Sequence, residues 1–312
     1  MKISIIICTY TLERLNDLFE LLESVKRQSY KDFDILIVVD GNRELYDLLS
    51  SRLNSWHADN IKVILNEVNK GLSYSRNRGI NSASGDVIAF IDDDATADEH
   101  WLQNLASVYK DFDAVGVGGK VLPLWLNGAS DYFPEELYWI VGATHSSFLE
   151  TEKLSHVRNL FGGNMSFKRG IFKKVGLFNQ DFGRKANFQI QAEETEFCMR
   201  LTTKLGKEVI YNPKAIVYHK VFPARTKMRF LIRRAFWQGY SKSLLSSMYK
   251  SDALSAESAY LRRAMVRIYG GSLRKFFKDP SKTLKQLFMF SIVLAAVAGG
   301  YLYFFLPIGR RS

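Results

Sequence analysis

Val87-Ile88-Ala89-Phe90-Ile91-Asp92-Asp93-Asp94 is an apolar run that ends in three consecutive carboxylates, with Gly85 just ahead of it. Such a run predicts a strand buried on both faces, the kind that parallel sheets require. Its charge then sits at the carboxyl end of the strand, where open α/β sheets bind their ligands. Three adjacent carboxylates repel one another unless a cation lies among them, and a hard divalent ion, Mn2+ or Mg2+, suits carboxylate and phosphate oxygens. The same residues also read as acidic caps of a helix from about Glu99 to Lys110, favoured by its dipole. Position alone leaves both readings open.

The segments upstream supply the rest of the sheet. Lys2 to Thr9 is a short β-branched strand, and Leu15, Leu18, Phe19, Leu22 and Val25 follow at helical spacing. Phe33 to Val39 is a second strand ending in Asp40, Ile61 to Leu65 a third, and Gly71 to Ala83 a helix. Alternating strands and helices predict right-handed parallel crossovers and an open, mostly parallel Rossmann-like sheet with helices on both faces. Gly71 lets the chain turn into a helix whose free amides attract anions, with Arg76 and Arg78 nearby, although Arg78 alone reads as a solvated helix face.

Charge divides the chain of 312 residues. From Lys204 to Lys285 there are 19 basic and 4 acidic residues, whereas residues 1 to 203 hold 22 basic and 28 acidic. The uncharged run Leu287 to Leu306 is long enough for a helix to cross a bilayer, and Lys282, Lys285, Arg310 and Arg311 flank it. A basic stretch beside such a run points to anionic membrane lipid and away from nucleic acid. Two further basic helices, Met228 to Tyr249 and Tyr260 to Lys278, are expected to be amphipathic and to lie at the membrane. Met1-Lys2 leads directly into a strand-like run, so a single-pass protein of the cell membrane is expected, with its bulk cytoplasmic. Cys8 and Cys198 read as reduced, buried thiols.

Cys8-Thr9-Tyr10, Asp40, the segment Asn69-Lys70-Gly71 to Arg76-Asn77-Arg78-Gly79 and the Asp triplet, taken in order, resemble the family 2 glycosyltransferases of the GT-A fold. The resemblance runs from residue 1 to about 225. It implies that Thr9, Tyr10, Asp40, Asn69, Gly71, Arg76, Asp92 and Asp93 meet the nucleotide and that Asp94 holds a metal, Mn2+ or Mg2+, bridging the diphosphate. Gly162-Gly163-Asn164 matches the stretch that lines the donor sugar pocket. Ala192-Glu193-Glu194-Thr195-Glu196 matches the start of the helix that carries the catalytic base. Glu194 falls on the base position, with Glu193 beside it as the alternative. His219 ends a strand where some members bring a metal ligand, and Arg225 follows on a loop that would meet diphosphate; for His219 a structural role stays equally open. The aromatics Trp125, Tyr132, Phe133, Tyr138 and Trp139 either grip sugar or lipid or form core.

The reading implied is an inverting, metal-dependent transfer from a nucleotide-sugar, a UDP-sugar such as UDP-glucuronate, to a lipid-linked acceptor, as in archaeal enzymes that extend dolichol-linked glycans. Rival readings are a surface-polysaccharide transferase of the same fold and a non-catalytic nucleotide-binding scaffold at the membrane. Oligomerisation is left open. Expected domains are 1–225 (a nucleotide-binding half 1–119 and a donor and acceptor half 120–225), 226–283 as membrane-associated helices, and 284–312 as transmembrane helix and tail.

Overall fold

A computed structural model describes residues 1–55, 60–128, 130–145, 153–183, 190–249, 255–270 and 277–306. The chain forms two compact units, the first made of Met1–Leu122, Lys153–Phe188 and Glu193–His219, the second of Pro123–Glu152, Gln189–Ala192 and Lys220–Ser312. The division differs from the expected boundary at residue 225: Phe133, Leu137, Ile140, Val141 and Val221 share a core with the carboxyl-terminal helices.

In chain order the first unit runs β1 (Ile3–Thr9), α1 (Leu15–Lys26), β2 (Phe33–Asp40), α2 (Arg43–Ser55), β3 (Ile61–Asn66), α3 (Leu72–Ser82) and β4 (Val87–Ile91). There follow β5 (Ala95–Ala97), α4 (Trp101–Asp111), β6 (Gly116–Trp125), β7 (Ser155–Val157), β8 (Asn164–Lys168), α5 (Arg169–Val175), α6 (Glu193–Leu205) and β9 (Val209–Val221). The sheet has the order β3-β2-β1-β4-β8-β6-β9-β5, with β7 on β9. Pairing is parallel for β1 with β2 and β4 and for β2 with β3, and antiparallel for β4 with β8, β6 with β8, and β9 with β5 and β7. The sheet is therefore mixed, where the sequence predicts a mostly parallel one. Parallel neighbours need a helical crossover, and between β6 and β8 the described residues contain no α-helix.

Side chains on β1 alternate between two cores. Ile3, Ile5 and Ile7 join Leu18, Leu22 and Val25 of α1, Leu45 and Leu49 of α2 and Trp101 and Leu105 of α4. Ile6, with Ile88 and Phe90 of β4, joins Ile80 of α3, Phe172 of α5 and Phe197 and Leu201 of α6. All five residues of β4 are buried, as a strand covered on both faces must be. Each such aliphatic side chain removed from water contributes roughly 1.5–3 kcal/mol.

The second unit contains a 3-10 segment (Glu135–Val141), α7 (Pro223–Thr226), α8 (Met228–Met248), α9 (Ser255–Met265), a π-helical turn (Val266–Gly270) and α10 (Pro280–Tyr303). Its core joins Phe133, Leu137 and Ile140 to Leu231, Ala235, Tyr260, Ile268, Met289, Phe290 and Val293. Trp125, Tyr132, Tyr138 and Trp139 pack against this core, and the Trp139 indole donates to the Tyr260 hydroxyl at 3.0 Å. These aromatics are thus core. α8 does not segregate into a basic and an apolar face as expected: Ser241 and Ser243 are buried while Met228 and Ile232 are exposed. The second expected basic helix breaks into α9 and the π-helical turn, and its residues 271–276 lie outside the described residues.

Candidate active site

At the carboxyl end of β4 the chain turns through Asp92, Asp93 and Asp94 into β5. Pairing of β5 with β9 places Ala95 opposite His219, and this register brings the imidazole to Asp94, Nε2 lying 3.3 Å from Oδ1. One ligating atom each from Asp92, Asp94 and His219 lie within 4.8 Å of one another. The helix-cap reading fails here, because β5 separates the triplet from α4 and it is Asp98 that accepts from the His100 amide, at 3.0 Å.

The site is strongly acidic, and the fold answers with arginine. Asp94 is buried and ion-paired to Arg14, which stands just ahead of α1. Burial and the neighbouring Asp94 carboxylate push Asp93 up to about 7, against the charge of Arg14. A cation among these groups would relieve the same repulsion, and two carboxylates with one imidazole form a donor set that fits Mn2+.

The first turn of α6 forms the second acidic wall. Glu193 is buried, with Ser73 Oγ donating to Oε2 at 2.8 Å and Arg76 Nη1 to Oε1 at 2.5 Å. Arg76 Nη2 donates to the Gly162 carbonyl at 2.9 Å and lies 3.7 Å from Asp92 Oδ1. Burial acts to lower the pKa of Arg76, but Glu193 and Asp92 outweigh it and the pKa is raised. Arg76 therefore joins α3, α6, the Gly162 turn and the acidic triplet as a permanent cation. A β-carbon at Gly163 would lie 2.8 Å from Asp92 Oδ2, so a larger residue there would push the Asp92 carboxylate aside. Glu196 turns the other way, onto Arg200 Nε and Nη2, both at 2.8 Å. Glu194 is half-buried.

Several expected contacts are redirected. Asp40 is buried and accepts from Asn66 Nδ2 at 2.9 Å, the Lys70 amide at 3.1 Å and the Gly71 amide at 2.8 Å. The anion that meets the start of α3 is thus Asp40 itself, where the sequence predicts phosphate. Gly41, at φ +70°, is forced by close approach, since a β-carbon there would fall 2.2 Å from the Asn69 amide nitrogen. Thr9 is buried, whereas Tyr10 and Asn69 are exposed, and Asn42 Nδ2 donates to the Tyr10 carbonyl at 3.2 Å.

Asn164 is fully buried: Nδ2 donates to the Lys120 and Ala215 carbonyls at 3.0 and 2.8 Å, and Oδ1 accepts from the Trp101 indole at 2.9 Å. Both amide hydrogens of Asn164 are thus engaged inside the protein. Arg76 is likewise an internal clamp and not a free phosphate ligand. Arg225 belongs to the second unit, on α7, its guanidinium 5.8 Å from the Phe222 ring centroid. Sequence reading missed Arg14; the available signal was a basic residue five positions after Thr9, at the strand end that faces the triplet.

Residues 4–176 match the family model described as glycosyl transferase family 2. The glucosyl-dolichyl phosphate glucuronosyltransferase of Haloferax volcanii is 40% identical over 305 residues, covering 97% of this chain and 96% of that protein. Among solved structures, a mannosyltransferase of Pyrobaculum calidifontis in complex with GDP-Man and Mn2+ superposes with TM-score 0.64 at 15% identity, covering 97% of this chain and 88% of that one. S. aureus TarS with UDP-GlcNAc does so with TM-score 0.52 at 16% identity, over 95% and 82% of the two chains. The last two speak to the fold alone.

Proposed function

The chain belongs to glycosyl transferase family 2, and from that premise we propose that it transfers a sugar from a UDP-sugar to a membrane lipid-linked acceptor, a dolichyl or polyprenyl phosphate or its glycan. The observation that carries this reading is the convergence of Asp92, Asp94 and His219 at the end of β4. Support for the acceptor class comes from the end-to-end similarity to the H. volcanii enzyme, whose name pairs a dolichyl phosphate with glucuronosyl transfer; UDP-glucuronate is the donor proposed.

Asp92, Asp94 and His219 would hold the metal, and the imidazole nitrogen favours Mn2+ over Mg2+. When bound, the ion neutralises the departing diphosphate. Tyr10 and Asn69 form the exposed ledge for the nucleotide, set by the Asp40 clamp beneath. Gly163 leaves room for the donor sugar beside Asp92. In an inverting transfer the base removes the acceptor hydroxyl proton as the hydroxyl attacks opposite the leaving group. Glu194 takes that role, because both oxygens of Glu193 are held by Arg76 and Ser73. Helix α10 attaches the protein to the membrane where such lipids reside, with the catalytic unit on the cytoplasmic side.

The test is calorimetric titration of UDP, GDP and CDP into the detergent-solubilised full chain with and without Mn2+. Expected is tight UDP binding that needs Mn2+ and disappears in Asp94→Ala. Binding of UDP indifferent to both Mn2+ and Asp94 would overturn the metal-site assignment.

A further inference from the structure

Helix α10 carries no charge after Lys285, yet only one side of it is covered. Thr283, Met289, Phe290, Val293 and Gly300 are buried, whereas Leu284, Phe288, Ala295, Leu302 and Phe305 form a bare apolar row. The covered side meets α8. Gly239 and Gly300 make this approach possible: β-carbons there would fall 1.9 Å from the Val297 carbonyl and 1.8 Å from the Phe236 carbonyl. Backbones this close are typical of helix pairs held by small residues.

The two helices run in the same direction. Near their starts both are tied to one segment, Tyr132 donating to the Thr226 carbonyl and Gln286 donating to the Asp131 carbonyl at 3.1 Å. Further along, Phe236 and Tyr240 meet Tyr303 and Phe304, with ring centroids 5.5 Å apart in each pair. One turn before Phe236, Arg233 and Arg234 therefore stand beside the middle of α10, and Gln238 and Lys242 beside its later turns.

If α10 crossed a bilayer, α8 would enter the hydrocarbon with it, carrying two arginines to its centre. Charged side chains are strongly disfavoured there. A helix pair with one bare apolar row and an adjacent basic row suits the boundary between headgroups and acyl chains. Basic charge is present beside it: on α8 Arg229 and Arg233 are both exposed, among Met228, Ile232 and Phe236, with which they line an open, mostly apolar depression.

We infer that the α8–α10 pair lies lengthwise in one leaflet of an anionic bilayer, the bare row of α10 toward the acyl chains and Arg229 and Arg233 on the phosphates. This monotopic attachment is proposed in place of the single-pass span expected from the sequence. This inference rests on the membrane-bound reading above and specifies its form.

The experiment adds full-chain protein to preformed vesicles of phosphatidylcholine with about one third phosphatidylglycerol, and labels single-cysteine reporters with a membrane-impermeant maleimide. Ser281→Cys marks the start of α10 and Ser312→Cys the end of the chain. Cys8 and Cys198 compete poorly, since burial pushes both thiols up, Cys198 to about 12. Both reporters should label from outside before the vesicles are opened. Protection of Ser312→Cys until detergent is added, with Ser281→Cys labelled throughout, would overturn the in-plane arrangement and restore the span. Arg229→Gln with Arg233→Gln should weaken vesicle binding by about tenfold or more, and only on anionic vesicles; equal binding to neutral and anionic vesicles would also overturn the inference. Failure of the parent protein to bind either vesicle would sink the membrane reading as a whole.

Discussion

The first unit holds two clusters of carboxylates, Asp92 to Asp94 after β4 and Glu193 to Glu196 at the start of α6, and arginines clamp acids in both: Arg14 on Asp94 in the first, Arg76 on Glu193 and Arg200 on Glu196 in the second. They differ in what the backbone does with the remaining oxygens. The turn after β4 is pinned by the β5–β9 pairing, so Asp92 and Asp94 converge with His219 on one point. A helix rotates successive side chains by about 100°. Glu193 accordingly faces Arg76, Glu196 faces Arg200, and Glu194, about 100° round the helix from Glu193 and away from Glu196, is half-buried. Acids adjacent in sequence share one task where a sheet holds the turn and take separate tasks where a helix fans them out.

The largest effect that would break this division is on Glu194. Glu194→Gln is expected to lower kcat by about 10²–10⁴-fold, the range for a lost general base, with UDP and Mn2+ affinity unchanged. If Glu193→Gln instead produced the kinetic loss with full stability and Glu194→Gln were silent, the two roles would be exchanged.

Next in size is the clamp. Arg76→Met leaves Glu193 as a buried charge without its guanidinium, a change that costs roughly 3–5 kcal/mol. A lowered urea midpoint should therefore accompany any loss of activity, and Arg76→Met combined with Glu193→Met should recover much of the stability. A double variant as unstable as the sum of the singles would show that the pair is not coupled.

The smallest expected effect sharpens the comparison on the aspartate side. Arg14 neutralises the carboxylate that a metal would use, so Arg14→Gln should tighten Mn2+ binding to the nucleotide-free protein by about tenfold. Titration followed by the electron paramagnetic resonance of free Mn2+ reads this directly. Weaker Mn2+ binding in Arg14→Gln would mean that Arg14 holds Asp94 in its ligating pose and does not compete for it.

Much of the parallel half of the fold was legible because each signal there is local. β1 to β4 and α1 and α3 follow from apolar runs and helical spacing that hold within some ten residues. The antiparallel half was less so: β6 and β9 extend well past their apolar segments, and β5 is only three residues long. At the site, sequence order pointed to the Asp triplet, the Glu193–Glu194 helix start and His219, since charged residues at element ends stand out against apolar runs. It gave no sign of the internal bonds of Asp40, Arg76 and Asn164, whose partners stand 26 to 117 positions away.

By itself, then, the sequence determined the element types, the acidic end of β4 and an uncharged helix near the carboxyl end, because periodicity and charge are properties of neighbouring residues. Only the tertiary structure decided which acids converge, which arginines hold them and which face of α10 stays bare. Those outcomes depend on strand register and helix packing between residues far apart in the chain, and no local pattern encodes them.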